Sequence, residues 1–133
     1  MIREITEAEA DNIDDRLMEV LGDCERHHIR LGIEQENKLI AVIFGRTHAR
    51  DVLSVYGPYV EKEYRGNGYG KALVEKLEKQ AEDLGFAVLR IKTKSGFGEG
   101  FYQSIGCEQI GFYEDSDLNI REAYFAKMIG AAL

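Results

Sequence analysis

The 133-residue chain carries 17 Lys+Arg against 24 Asp+Glu, a net charge of −7, with 44% hydrophobic and 10% aromatic residues. That length and composition point to a single domain over 1–133, large enough to bury a core without a disulfide or metal staple. The negative balance disfavours sequence-independent binding to nucleic acid or to an anionic membrane, both of which rest on basic patches.

Met1–Ile5 reads as a first strand. Thr6-Glu7-Ala8-Glu9 then makes a capping-box pattern, followed by Ala10, Ile13, Leu17, Val20 and Leu21 at helical spacing, with Gly22 as the stop. Residues 23–30 have no clear period, and a second short helix is one reading of them. Leu31–Glu36, Leu39–His48 and Val52–Val60 read as strands whose short connections favour an antiparallel meander. Pro58 inside the third run marks an edge, a bulge or a missing neighbour, because proline cannot donate to a ladder.

Tyr69–Leu84 is the clearest helix, with Tyr69, Leu73, Leu77, Ala81 and Leu84 on one stripe and Gly85 at its end. Phe86–Thr93 reads as a buried strand, residues 99–105 as a short helix, and Cys107–Tyr113 and Glu122–Ile129 as final strands. Strand, helix and strand in that order form a parallel crossover, so the expected fold is α+β with a mixed, largely antiparallel sheet of about seven strands.

Two cysteines, Cys24 and Cys107, make no disulfide framework. The amino-terminal MIREITEAEA has no basic-then-apolar signal segment, and the longest apolar run, Leu39–Gly45, is far below the ~20 residues of a membrane span. A cytoplasmic protein with free thiols is expected. Cys24, His27 and His28 cluster, but adjacent helical residues point apart and no second ligand pair recurs, so no metal is expected.

Charge is unevenly distributed. Residues 1–60 carry 7 basic and 12 acidic groups, 101–133 carry 2 and 5, and 61–100 carry 8 and 7. The one stretch without net negative charge contains Glu61-Lys62-Glu63-Tyr64-Arg65-Gly66-Asn67-Gly68-Tyr69-Gly70-Lys71. Glycines at alternate positions let a backbone approach a ligand closely, and the helix amino end that follows offers unpaired N–H groups to an anion. Arg65 and Lys71 add full charges on either side. A phosphate or pyrophosphate ligand fits; so does a turn that binds nothing. A P-loop does not fit, since Arg65 stands where its first glycine belongs and Ala72 follows Lys71. Nor do the evenly spaced Gly66, Gly68 and Gly70 make a Rossmann fingerprint.

Arg65, Gly68 and Gly70 match the Arg/Gln-x-x-Gly-x-Gly/Ala pattern of the GNAT superfamily of N-acyltransferases, between a strand and a long amphipathic helix. Phe101-Tyr102-Gln103-Ser104-Ile105-Gly106 resembles that superfamily's later segment, and the order of elements agrees over nearly the whole chain. The resemblance implies acetyl-CoA as co-substrate, its pyrophosphate held by Arg65, Gly66, Asn67, Gly68, Tyr69 and Gly70, with Lys71 alongside. It implies that the pantetheine arm pairs with the strand ending Tyr59-Val60, where two parallel strands splay. Tyr102 occupies the position that is often the general acid in the family. Departures are Cys107, where phenylalanine is more frequent, and Thr93, Lys94 and Ser95, where an asparagine is usual.

Acetyl transfer from a thioester requires a neutral amine, stabilisation of the carbonyl oxygen, by a backbone N–H of the third strand of the meander, and a proton donor for the thiolate. Glu61, Glu63 and His48 are the candidates for the base, with Glu61, directly after the strand, the first choice, and a site that collects the neutral amine through water is the alternative. The reading is an N-acetyltransferase working by direct attack on a primary amine in a ternary complex, as monomer or homodimer. The acidity outside 61–100, including Glu114-Asp115-Ser116-Asp117, suits a cationic acceptor. The rivals are a non-catalytic acyl-CoA-binding module of the same fold and a partner-binding domain without cofactor. Gly96, Gly98 and Gly100 form a second glycine series of unassigned role.

Overall fold

The computed structural model describes residues 2–6, 8–9, 29–49, 51–94 and 99–130. Apart from Thr6, Ala8 and Glu9, the helix expected up to Gly22 lies outside them, as do Cys24, His27, His28, Ser95, Gly96 and Gly98. Its start is visible: Thr6 N–H donates to Glu9 Oε1 at 3.1 Å and Glu9 N–H donates to Thr6 Oγ1 at 3.2 Å, the reciprocal pair of a capping box.

Among the described residues seven strands form one sheet: β1 (Ile2–Glu4), β2 (Ile29–Gln35), β3 (Lys38–Ala49), β4 (Val52–Val60), β5 (Val88–Lys94), β6 (Glu108–Asp115) and β7 (Ile120–Met128). Later in the chain two further helices accompany them, α1 (Tyr69–Asp83) and α2 (Glu99–Ser104). The spatial order is β1-β2-β3-β4-β5-β7-β6, and only β4 and β5 run parallel. The expected mixed sheet with a strand–helix–strand crossover is the fold observed. The β2–β3 connection turns on Glu36 (φ 51°) and Asn37 (φ 64°), the two positive values that suit a twisted hairpin.

Alternation along the strands divides the core. On one face Leu31, Ile43, Leu53, Leu89 and Phe125 pack under Leu73, Val74, Leu77 and Ala81 of α1. Each large side chain so buried contributes about 1.5–3 kcal/mol. On the other face Ile5, Val42 and Phe44 form a smaller cluster with Tyr56 and Tyr59.

Two local expectations are corrected. Leu84 does not complete the helical stripe but is 62% exposed, because the helix stops at Asp83. Gly85 (φ 93°) closes it, with Gly85 N–H on Glu82 O and Phe86 N–H on Ala81 O. Phe86 is thereby committed to the helix end and β5 begins at Val88. That strand is buried on one face only, through Leu89 and Ile91, while Lys92 on the other face is exposed.

Pro58 marks both a bulge and a missing neighbour. Val42 pairs with Tyr59 and Phe44 with Tyr56, so Gly57 and Pro58 together face the single residue Ile43. On its other side β4 pairs with β5 only from Val52 to Val55 and then departs from it. The sheet opens at that point.

Candidate active site

The segment after β4 is built by its own polar groups. Lys62–Tyr64 makes a 3-10 turn, Arg65 Nε donates to Val60 O at 2.9 Å, and Asn67 Nδ2 donates to Tyr64 O at 3.0 Å. Gly66 and Gly68 take φ values of 82° and 81°, the left-handed region where a side chain would be strained. Gly68 is the N-cap of α1, no side chain caps it, and the first turn holds no carboxylate. The first-turn N–H groups and the helix dipole therefore face outward beside Arg65 and Lys71, an arrangement suited to a phosphate. A Cβ on Gly66 or Gly68 would meet nothing within 4 Å, so the glycines leave open space where a ligand can come close. Gly70 has a different role: its Cβ would lie 3.3 Å from Pro58 Cγ and 3.4 Å from Phe101 Cζ. Its bareness lets α1, the bulge and α2 converge.

The convergence leaves a groove of about 710 Å³. Tyr59, Val60, Arg65, Gly66, Gly68, Tyr69, Gly70 and Lys71 line it, whereas Asn67 does not and instead braces the loop through Tyr64 O. Tyr69 also accepts a hydrogen bond from Gln35 Nε2. These residues fit the pyrophosphate and pantetheine of acetyl-CoA by charge and by the open space over the glycines.

Tyr102 lines the same groove and is only 7% exposed. Its hydroxyl donates to Gly57 O at 2.7 Å, inside the bulge. Its ring packs against Phe101 and Phe125, with centroids 5.3 and 5.5 Å away. Burial, with a smaller contribution from Cys107, pushes its pKa up to about 12, so it keeps its proton throughout the neutral range. Cys107 is a free, buried thiol, itself raised by burial, and its N–H donates to Tyr102 O at 2.9 Å.

Glu61 lies elsewhere. Its carboxylate pairs with Lys38 Nζ at 2.9 Å and lines a second cavity of about 420 Å³, together with Arg3, Glu9 and Glu34. The pairing raises the Lys38 pKa. Arg3 holds two carboxylates there, Glu9 at 2.6 Å and Glu34 at 3.0 Å, and its hydrogen bond keeps Glu9 down to about 2. Tyr59 borders both cavities, so they adjoin across the end of β4. Tyr102 and Glu61 thus belong to two neighbouring spaces. Glu63 and His48 line neither; His48 is exposed beside Arg90, its Nε2 2.6 Å from Arg90 Nη1.

Some site residues carry no signal in the sequence. Arg3 and Glu34 meet only through the β1–β2 register, which sets Arg3 opposite Gly32. Phe101 and Pro58 were visible, but their meeting over Gly70 was not. Glu114 and Asp115 shape the β6–β7 hairpin: Glu114 pairs with Arg121 at 2.9 Å, and Asp115 Oδ1 accepts from the N–H groups of Asp117 and Leu118. Among the described residues no group of three or more His, Cys, Asp or Glu is placed to hold a metal, and no helix is long and apolar enough to cross a membrane.

A sheet opened after its parallel pair, with a glycine loop feeding a helix beside the opening, is the architecture that the resemblance to N-acyltransferases implies. The GNAT acetyltransferase family model matches residues 1–106, and the chain belongs to that family. Acetyl-CoA is accordingly its co-substrate. No curated protein matches the sequence significantly. Solved structures with the same fold include the alanine N-acetyltransferase of a ribosomal protein from Escherichia coli, at 20% identity and TM-score 0.79, covering 99% of this chain and 95% of that one. An aminoglycoside 6'-N-acetyltransferase complexed with coenzyme A aligns at 16% identity and TM-score 0.81 over 100% of this chain and 99% of that one. The aminoglycoside 6'-N-acetyltransferase from Enterococcus faecium aligns at 15% identity and TM-score 0.80, with the same coverage.

Proposed function

We propose that the chain moves an acetyl group from acetyl-CoA to a primary amine by direct attack in a ternary complex, with Tyr102 as general acid. The observation that carries this reading is the Tyr102 hydroxyl, buried and held 2.7 Å from Gly57 O in the groove that the glycine loop borders. When bound, acetyl-CoA supplies the activated acyl group. Arg65, Lys71 and the first-turn N–H groups of α1 hold its phosphates, and the opened edge of β4 orients the arm. A backbone N–H of β4 stabilises the carbonyl oxygen as charge develops.

Tyr102 turns its one O–H from Gly57 O toward the sulfur as the C–S bond breaks, and returns it to the carbonyl once the thiol has left. Outright transfer from a phenol of about 12 to a thiolate of ordinary pKa ~8.5 runs uphill. Tyr102 therefore acts as a hydrogen-bond donor in the transition state and regains any proton it gives from the acylated nitrogen, which must lose one in any case. The acceptor amine, with an ordinary pKa of ~10.4 if lysine-like, must first shed a proton. Glu61 receives it, directly or through water, in the second cavity.

That cavity holds Glu9, Glu34 and Glu61 against Arg3 and Lys38, which favours a cationic acceptor. A cytoplasmic setting is consistent with the free thiol of Cys107.

The test has two stages. Acetyl-CoA at millimolar concentration should raise the melting temperature; no shift would sink the cofactor groove. Thiol release should then be measured across spermidine, an aminoglycoside, a peptide with a free N-terminal alanine, and aspartate. Fastest reaction with aspartate would refute the cationic acceptor. Binding without release on any amine would favour the non-catalytic module.

A further inference from the structure

Lys127 stands where β7 should bury an apolar side chain. Ala123 and Phe125, both 0% exposed, precede it at the alternating positions of the core-facing side, and its cross-strand partner is the fully buried Leu89. Its side chain is only 25% exposed. A lysine in such a place is costly unless its charge is matched. Both of its contacts lead to α2 and α1: Nζ donates to Ile105 O at 2.8 Å and pairs with Glu78 Oε1 at 2.6 Å.

Ile105 closes α2, the six-residue helix that presents Tyr102. So short a helix has little stability of its own, and its direction is set by what holds its ends. Gly106 N–H donates to Gln103 O at 3.2 Å and Cys107 N–H to Tyr102 O at 2.9 Å, with Gly106 at φ 91°, a complete Schellman ending. The Ile105 carbonyl is left pointing out of that turn, and Lys127 takes it. A Cβ on Gly106 would lie 3.5 Å from Lys127 Cε, so the lysine stem runs directly beneath the turn. Glu78, on the helix whose first turn borders the cofactor groove, fixes the ammonium from the other side.

The geometry points to Lys127, fixed by Glu78, as a positioning residue that sets the Tyr102 hydroxyl at the opening of the sheet by holding the carboxyl end of α2. This rests on the general-acid reading of Tyr102 and adds the device that aims it. Lys127 touches neither the groove nor the second cavity.

The test measures thiol release from acetyl-CoA with the fastest amine of the panel above. Lys127→Met keeps the stem and removes the ammonium; it should lower kcat about tenfold while KM for acetyl-CoA stays within about twofold. Lys127→Arg, which can still reach both oxygens, should restore most of kcat. Glu78→Gln should give a smaller loss of the same kind and serves if Lys127→Met does not fold. In a Tyr102→Phe background Lys127→Met should cost nothing further, because the hydroxyl it positions is gone. An unchanged kcat overturns the inference, as does a joint loss of kcat and acetyl-CoA affinity without rescue by arginine, or multiplying losses in the double variant. If Tyr102→Phe alone keeps full kcat, the general-acid reading has failed; a normal Tyr102→Phe loss beside an unaffected Lys127→Met refutes only the positioning role.

Discussion

Replacing Tyr102 by phenylalanine removes one oxygen and keeps the ring between Phe101 and Phe125. Gly57 O loses its donor at 2.7 Å. A neutral hydrogen bond of this kind is worth about 0.5–1.5 kcal/mol net, and the carbonyl borders a groove that water can enter, so ~1 kcal/mol is expected. A general acid contributes about 10²–10⁴ in rate. The two scales separate cleanly, because ~1 kcal/mol leaves a domain of ordinary stability almost fully folded. A hundredfold fall in kcat at an unchanged KM for acetyl-CoA would therefore report chemistry and not unfolding. The titration gives a second readout. Burial raises the phenol from 10.0 to about 12 in the folded protein, which favours the neutral form there. The corresponding stability is whole below pH ~10 and is lost as pH rises through ~12. Urea denaturation from pH 8 to 11 should cost the Tyr102 protein about 1.4 kcal/mol more than the Phe variant. A kcat within about threefold of the parent would refute the general-acid role; parallel stability curves over that pH range would refute the buried phenol.

Arg65→Ala should weaken acetyl-CoA binding about tenfold by removing one charge from the loop, while the melting temperature moves little; unaltered affinity by calorimetry would count against the phosphate site. Gly68→Ala places a Cβ at φ 81° and should cost about 1–2 kcal/mol in denaturant, with weaker acetyl-CoA binding, since the space over the glycine is open but the backbone is strained. Glu9→Gln removes a carboxylate that the Arg3 hydrogen bond holds down from 4.5 to about 2. Its contribution is present above pH ~4.5 and is lost as pH falls through ~2, so the gap in melting temperature between the two proteins should narrow steadily over that window; a gap undiminished at pH 2 would refute the pairing.

The glycine loop could be read along the chain because its determinants are local. A strand end, two positive-φ glycines, a bare helix start and flanking cations lie within a dozen residues. Pro58 was legible for the same reason: a residue without an N–H must disturb a ladder wherever it falls. The second cavity was not legible, since Arg3, Glu34, Lys38 and Glu61 come together by pairings whose register no local pattern specifies. The same holds for Lys127, although an interruption of the apolar stripe after Ala123 and Phe125 was a signal open to reading. Leu84 shows the opposite error. Helical period carried the stripe one residue beyond the point where Gly85 had already turned the chain, and the end of the helix overrode the period.

The bulge at Gly57-Pro58 explains why the two cavities adjoin at all. Tyr56 and Tyr59 are three residues apart, so in a regular strand they would point to opposite faces. The extra residue on β4 rephases the alternation, and both tyrosines join Val42 and Phe44 on the face away from α1. Tyr59 can then border the charged cavity, while Val60 returns to the α1 side and packs on the main core. Pro58, inside the bulge, comes against the start of α1 at the one position where a glycine admits it. Gly57, its carbonyl withdrawn from the ladder with β5, offers that oxygen to Tyr102. A single added residue thus aims one tyrosine toward the charged cavity, sets Pro58 against the first turn of α1, and supplies the carbonyl that holds the second tyrosine in the groove.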